Sequence, residues 1–262
     1  NINSKFELIS HYQKKFLQIY AFFFLYNKKI YTFAPNIYQY HNVMNNSIFS
    51  FTQPKNEAVY SYAPASKERE LLKQELEKQY NQCIEIPIII NGKEIKTGNC
   101  ADVVMPTEHS HVLAKFHKAD KETVQQAIEA ALEARKKWEN VHWIDRCSIM
   151  LKAAELLAGK YRYVINASTM LGQGKNPFQA EIDSACETID FLRFNVHYAS
   201  KIYAQQPLSD NTAINRLEYR GLEGFVYAIS PFNFTSIACN LNISPVLMGN
   251  VTVWKPATTA VL

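Results

Sequence analysis

Residues 224–234 read GFVYAISPFNF, and residues 249–256 read GNVTVWKP. The first stretch begins with a short, nearly all-apolar run, which is typical of a strand buried in a parallel sheet. The second stretch contains a similar run at 251–254, and a helical pattern capped by Thr235 and Ser236 lies between the two. A strand, a turn, a helix and a second strand within about thirty residues predict a right-handed βαβ unit.

Polar residues follow both predicted strands at the point where each strand ends. In α/β sheets, ligands bind beyond the carboxyl ends of the strands, where SPFNF (230–234) and Lys255 both fall. The amide of Asn233 can donate an N–H to an oxygen that gains negative charge, an interaction worth about 3 to 4 kcal/mol in a preorganised site. The lysine can bind the hydroxyls or the phosphate of a nucleotide. The residues leave two plainer interpretations open, in which Asn233 is a turn former or helix cap and Lys255 ends a strand.

The pattern of a globular domain begins near residue 56. Helices are predicted at 67–80 with Ser66 as the cap, 120–140, 143–158, a segment ending at 172, and 176–203 opened by Asn176-Pro177. Strands are predicted at 84–90, 94–96 and 111–116, with Asn91-Gly92 as a hairpin turn. Residues 205–220 lack a helical period, and their alternation predicts a two-stranded excursion.

One predicted helix, 120–140, has its apolar residues on one face. That face consists of Val124, Ile128, Ala131, Leu132 and Trp138. On the long helix 176–203, Asp183 and Glu187 are four residues apart and share a face, which alone is typical of a solvated acidic stripe.

The charge and the cysteine content argue against a nucleic-acid-binding protein and against a disulfide framework. The net charge of +4 comes from scattered basic residues, a pattern that argues against nucleic-acid binding. The five cysteines form no CxxC pair and are odd in number, which favours a reducing compartment with buried or incidental thiols. His109, His111 and His117 lie close together, but no cysteine or carboxylate in the pattern completes a metal site.

Residues 1–55 differ in character from the rest of the chain and contain no arginine. Their most apolar segment, FLQIYAFFFLY at 16–26, has eleven residues, whereas a helix needs about 20 to cross a bilayer. We interpret 1–55 as a poorly ordered extension or a mispredicted exon, rather than a targeting or membrane-surface segment. The chain starts with Asn1 and stops directly after a strand-like run, so we expect a fragment of a longer protein.

The order of several motifs carries a family resemblance. AISPFNF followed by GNVTVWKP resembles the aldehyde dehydrogenase superfamily, whose cofactor domain binds NAD without a GxGxxG loop. With YRGLEGFV before it, GQGKNPFQAEID upstream and NEAVYSYAPASKERELL at 56–72, the chain is most similar to the delta-1-pyrroline-5-carboxylate dehydrogenase branch. The resemblance covers residues 56–262 and nothing before them.

The resemblance implies an α/β fold of the aldehyde dehydrogenase type. Residues 56–204 and 222–262 would form the N-terminal part of a Rossmann-type NAD-binding domain, and 205–221 would be the oligomerisation hairpin of a homodimer. The catalytic domain would be absent, because the family places its cysteine nucleophile in a downstream Gly-Gln-x-Cys setting, with a glutamate base between it and residue 262. None of the five cysteines has that setting.

The resemblance also implies the residues that bind the cofactor, NAD. Ser230, Pro231 and Phe232 would line the NAD groove, and Lys255 would bind the adenosine ribose. Thr258 stands where relatives commonly have an acidic residue near the ribose, so we expect that contact to be weaker.

Three further residues acquire roles from the same resemblance. Asn233 would donate its side-chain amide to the oxyanion that forms when the nucleophile attacks the aldehyde. Phe234 would pack against the aliphatic part of the substrate, and Glu187 would lie by the substrate's ammonium group.

The implied function is NAD-dependent oxidation of L-glutamate gamma-semialdehyde to glutamate in proline catabolism, in the mitochondrial matrix. The chain by itself would not turn over the aldehyde substrate, because it lacks the nucleophile. One alternative is a non-catalytic aldehyde dehydrogenase remnant that binds nucleotide or a partner subunit. Another is a membrane-associated interaction protein driven by residues 14–29. We expect a small aldehyde substrate, and neither a nucleic-acid nor a membrane partner.

Overall fold

The computed structural model describes residues 50–262, so the apolar segment 16–26 lies outside the described residues. The helices are α1 (Lys67–Tyr80), α2 (Lys121–Trp138), α3 (Trp143–Ala158), α4 (Arg162–Gln173), α5 (Pro177–Ala180), α6 (Glu187–Tyr203) and α7 (Thr235–Leu247). A π-helical turn (Glu181–Cys186) joins α5 to α6, and a short 3-10 turn spans Thr258–Ala260. The strands are β1 (Ile84–Ile86), β2 (Ile88–Ile90), β3 (Lys93–Ile95), β4 (Cys100–Met105), β5 (Glu108–His117), β6 (Val226–Ile229) and β7 (Thr252–Lys255).

The N-terminal strands form two small sheets. One sheet has the order β1-β5-β4, and the other is the β2-β3 hairpin, whose turn is Asn91-Gly92 as predicted. Both turn residues have positive φ, 50° and 71°, which suits a tight hairpin. The single strand predicted at 84–90 is divided at Pro87, because proline cannot donate to a strand ladder. Strand β4 was not predicted.

The predicted helices form the main core. Met150, Ile189, Leu192 and Leu247 are at most 2% exposed, and they pack α3, α6 and α7 together. Contact of these three helices places the amino end of α7 beside the start of α6. Phe51 also packs against this cluster.

The long predicted helix 176–203 is continuous but not regular. Asn176 caps it in a reciprocal capping box with Gln179, and Pro177 occupies the first turn. The π-helical turn then widens the helix over Glu181–Cys186, and five of its six residues are buried. Such turns are frequent at functional sites. Here the turn carries Asp183, which the next subsection places against α7.

The C-terminal residues form the predicted βαβ unit. Strands β6 and β7 are parallel neighbours, with Ile229 beside Lys255 at their carboxyl ends. Gly221 lies so close to Gly249 that a Cβ atom on Gly221 would be 2.7 Å from the Gly249 carbonyl oxygen. Beyond α7, the Arg146 guanidinium donates to the Leu247 carbonyl at 2.9 Å and so satisfies the carboxyl end of the helix.

The predicted two-stranded excursion at 205–220 is wrong, and the apolar face of α2 is partly exposed. Residues 204–221 contain no strand, because the two arms of the excursion are joined by side-chain bonds instead of a backbone ladder, as between Gln206 and Leu217. On α2, Val124 is 45% and Leu132 is 40% exposed, whereas Ala131 is buried. The apolar face of α2 is therefore only partly covered within residues 50–262.

Candidate functional site

The carboxyl ends of β6 and β7 are held together by two hydrogen bonds. The Ser230 N–H donates to the Lys255 carbonyl at 3.3 Å, and the Trp254 indole N–H donates to the Ser230 hydroxyl at 3.0 Å. Ser230 is buried and Lys255 is exposed. The structure thus brings the two motifs to one edge of a parallel sheet, the kind of edge where α/β proteins bind ligands.

The turn between β6 and α7 presents its side chains outwards. Phe232 is 66% and Phe234 is 39% exposed, Asn233 is exposed, and Pro231 is half-buried. Within residues 50–262 the side-chain amide of Asn233 has no hydrogen-bond partner. An exposed amide without a partner is free to donate to a ligand, so Asn233 is not acting as a turn former through its side chain or as a helix cap.

The amino end of α7 is capped by a carboxylate from another helix. Asp183, 4% exposed, accepts from the N–H groups of Thr235 at 3.2 Å and Ser236 at 3.3 Å. Thr235 and Ser236, predicted as caps, are instead the first residues of α7, and Phe234 occupies the cap position without a side-chain bond. A negative charge at this end is favourable, because it neutralises the unpaired N–H groups and the positive end of the helix dipole.

Lys175 binds both sides of this turn. Its ammonium group lies 2.5 Å from Asp183 Oδ2 and 2.5 Å from the Asn233 carbonyl oxygen, and 4.8 Å from the centre of the Phe234 ring. The sequence predicts no role for Lys175, although this residue lies within the motif GQGKNP that contributes to the family resemblance. The one local signal for a role of Lys175 is its position directly after the glycine that caps α4. Nothing in the sequence links Lys175 to Asn233, which is 58 positions away.

Glu187 is half-buried and shares a partner with Asp183. The Ser236 hydroxyl is 2.7 Å from Glu187 Oε2 and 3.0 Å from Asp183 Oδ1. A hydroxyl has one proton to donate, and the shorter contact favours Glu187, while Asp183 is satisfied by Lys175 and by backbone N–H groups. Asp183 and Glu187 therefore form a packed, hydrogen-bonded pair facing α7, and the interpretation as a solvated stripe is wrong.

Thr235 fixes the start of α7 to α4. Its hydroxyl is 2.8 Å from the Thr169 hydroxyl and 2.8 Å from the Gln173 amide nitrogen. Together with Asp183 and Lys175, these contacts hold the turn from three sides. The backbone under Asn233 is consequently anchored, although its side chain projects freely.

Cys239, His111 and His117 each contact other parts of the protein. Cys239 lies in α7 against the core, and burial raises the pKa of its thiol to about 12, which disfavours the reactive thiolate. His117 Nε2 is 2.8 Å from Glu85, and His111 Nε2 is 2.8 Å from the Tyr80 carbonyl. In the described part of the chain, no group of three or more histidine, cysteine, aspartate or glutamate side chains is arranged so that it could hold a metal ion. Among the same residues, no helix combines the length and the apolar character needed to cross a bilayer.

Comparison with known proteins gives close relatives for the same region. The model of the aldehyde dehydrogenase family matches residues 94–262. The chain is 50% identical over 210 residues to the mitochondrial delta-1-pyrroline-5-carboxylate dehydrogenase of Dictyostelium discoideum, covering 80% of this chain and 38% of that protein. It is 49% identical over 207 residues to the mitochondrial enzyme of the same name from Homo sapiens, covering 79% of this chain and 37% of the relative.

The fold is similar to that of solved enzymes of this branch. The delta-pyrroline-5-carboxylate dehydrogenase from Mycobacterium tuberculosis superposes with a TM-score of 0.80 at 46% identity, over 82% of this chain and 40% of that one. A second structure of that protein, with NAD bound, has the same TM-score and identity. The chain spans about two fifths of the length of these relatives. The family match and this fold agree with the motifs at the ends of β6 and β7, and the chain belongs to the aldehyde dehydrogenase family.

Proposed function

We propose that this chain serves NAD-dependent oxidation of L-glutamate gamma-semialdehyde to glutamate, the activity named for its relatives. The observation that carries the proposal is the free amide of Asn233 at the carboxyl edge of β6 and β7, in a chain about half identical to delta-1-pyrroline-5-carboxylate dehydrogenases. The full-length protein containing this sequence would supply the cysteine nucleophile and the glutamate base. This assignment belongs to that whole protein.

The residues at the strand ends fit NAD. Lys255 presents an exposed ammonium group that forms no ion pair within residues 50–262, suited to the hydroxyls of the adenosine ribose. The exposed ring of Phe232, with Pro231 and Ser230 beside it, offers a wall for the groove. Thr258 is exposed and offers no carboxylate to the ribose. When bound, NAD accepts the hydride from the substrate carbon.

The substrate roles follow from charge and shape. Asn233 donates its amide N–H to the substrate oxygen as that oxygen becomes negative, which stabilises the transition state more than the ground state. Glu187 attracts the substrate ammonium, and its bond from Ser236 holds the carboxylate in one orientation. The Phe234 ring packs against the aliphatic chain between the two polar ends.

Residues 205–221 serve as the contact between two copies of the chain. Leu208 is 93% and Ile214 is 79% exposed, an arrangement that is costly unless another surface covers it. We expect Leu208→Asp to shift a dimer of the full-length protein towards monomer in sedimentation velocity, and Lys152→Asp, at an exposed site on α3, to leave it unchanged. A monomeric wild type would contradict this contact.

The mitochondrial location named for the relatives supports the same location for this protein. Imaging of the tagged full-length protein tests this location.

The activity is tested by adding the semialdehyde and NAD to the full-length protein and following NADH absorbance. We expect stoichiometric NADH and glutamate, and a lower KM for the semialdehyde than for glutarate semialdehyde, which has the same carbon chain without the ammonium group. NAD binding without turnover would support a non-catalytic remnant instead. Neither binding nor turnover would reject both.

A further inference from the structure

We propose that Lys175 is a positioning residue for Asn233. Its ammonium group donates to the Asn233 carbonyl oxygen at 2.5 Å and so fixes the peptide from which the amide side chain projects. The inference rests on the proposed function, in which Asn233 stabilises the oxyanion. It adds to that function the group that holds the backbone from which the amide projects.

The local chain geometry explains why a lysine can reach this carbonyl. Helix α4 ends at Gln173, and the capping residue Gly174 has a left-handed φ of 67° that turns the chain sharply. The next residue, Lys175, has a side chain only 17% exposed, packed over the Phe234 ring and paired with Asp183. An ammonium group that is nearly enclosed and has two oxygen partners is confined to one position, unlike a surface lysine.

The hydrogen bond from Lys175 to the Asn233 carbonyl matters because the Asn233 side chain forms no hydrogen bond of its own within residues 50–262. The backbone, which sets the Cα and Cβ positions, is therefore the part of Asn233 that the described residues hold. Asp183 holds the N–H groups that come after it, and Lys175 holds its own carbonyl. A displacement of about 1 Å at a reacting group is enough to lower a rate by about a hundredfold.

Without the Lys175 ammonium group, the turn before α7 keeps the hydrogen bonds that Asp183 and Thr235 make. Asp183 keeps the N–H groups of Thr235 and Ser236 and the contact with the Ser236 hydroxyl. Thr235 keeps its bonds to α4. The variant Lys175→Met, which retains the apolar length of the side chain but removes the cation paired with Asp183, is therefore expected to fold with a lowered urea midpoint.

A double-mutant cycle in the full-length protein separates positioning from a structural role. We expect Lys175→Met to lower kcat about ten- to a hundredfold in the wild-type background. In the Asn233→Ala background we expect a further loss of at most about twofold, because residues that act through one group are not additive. Lys175→Arg should recover part of the rate, and the Kd of NAD should stay within about twofold. The matched control is Lys152→Met, at an exposed lysine paired with Glu155.

Equal losses in both backgrounds would overturn the inference, as would full activity of Lys175→Met. A second measurement tests the contact between Lys175 and the turn independently of turnover. Amide hydrogen exchange of the peptide covering 230–240 should become faster in Lys175→Met and stay unchanged in Lys152→Met. An inactive wild type would reject the proposed function, and unchanged exchange would reject the role of Lys175 whatever the activity.

Discussion

Arg162 and Glu181 form an ion pair in which the two side chains are only 1% and 0% exposed. The same carboxylate accepts from the Tyr62 hydroxyl at 2.7 Å and from the Tyr60 N–H at 2.8 Å. These bonds tie the segment before α1 to the π-helical turn. Within that turn, Glu181 lies two residues before Asp183. The anchor of the N-terminal segment and the cap of α7 therefore belong to one short piece of helix.

Removal of one partner of this pair should be strongly destabilising. Arg162→Met leaves the Glu181 carboxylate buried with fewer donors, which typically costs about 3 to 5 kcal/mol. We expect the midpoint of urea unfolding of the full-length protein, followed by tryptophan fluorescence, to fall markedly. Lys152→Met breaks only an exposed pair and should change the free energy of unfolding by about 1 kcal/mol or less. Equal effects of the two substitutions would contradict this account of the buried pair.

The same carboxylate gives stability a dependence on acid pH. Burial opposes ionisation of Glu181, but hydrogen bonds from Arg162, Tyr62 and the Tyr60 backbone outweigh it and lower its pKa from the ordinary 4.5. A lowered folded-state pKa adds stability above pH 4.5, and that stability is lost as the pH falls through the folded-state value. We expect urea midpoints to fall steeply below pH 4.5 in wild type and less steeply in Glu181→Gln. Parallel pH profiles would contradict the assignment.

The sequence predicted the βαβ unit well because each of its signals is local. The apolar runs of β6 and β7, and the motifs at their ends, depend on neighbouring residues, and the structure has them where expected. Asn176-Pro177 likewise marked the start of the long helix, since capping is a property of four adjacent residues.

Contacts between distant segments could not be predicted. Nothing local indicates that Asp183 caps α7, 52 residues away from Thr235, or that Lys175 reaches Asn233. Thr235 and Ser236 were mistaken for caps because their residue types are typical of that position. A cap supplied by another helix has no signature near the helix it stabilises.

Glu187 should affect the substrate and not the cofactor. Glu187→Gln keeps an acceptor for the Ser236 hydroxyl but removes the negative charge that we propose attracts the substrate ammonium. Hydrogen bonds to charged groups contribute about 1.5 to 3 kcal/mol, so we expect KM for the semialdehyde to rise about ten- to a hundredfold. Kinetics with glutarate semialdehyde, which has the same carbon chain without the ammonium group, and the Kd of NAD should stay nearly unchanged. Equal increases in KM for both aldehydes would show that the charge has no such role.

Two glycines should respond in opposite ways to alanine. In Gly221→Ala the new Cβ would lie 2.7 Å from the Gly249 carbonyl oxygen, an overlap that forces the backbone apart and costs about 1 to 3 kcal/mol. In Gly172→Ala the nearest atoms are 3.7 Å away, and a helical site gains up to about 1 kcal/mol from alanine. Urea midpoints of the two variants should therefore move in opposite directions. A neutral Gly221→Ala would contradict the close approach of these segments.

The most direct test of the proposed function is the kcat of Asn233→Ala in the full-length protein with the semialdehyde and NAD. Loss of one oxyanion donor predicts a fall of about a hundred- to a thousandfold, with the Kd of NAD unchanged. Asn99→Ala, at another exposed asparagine, is the matched control and should retain full activity. An Asn233→Ala protein that oxidises the semialdehyde at the wild-type rate would contradict the role of the strand-end amide in the chemistry.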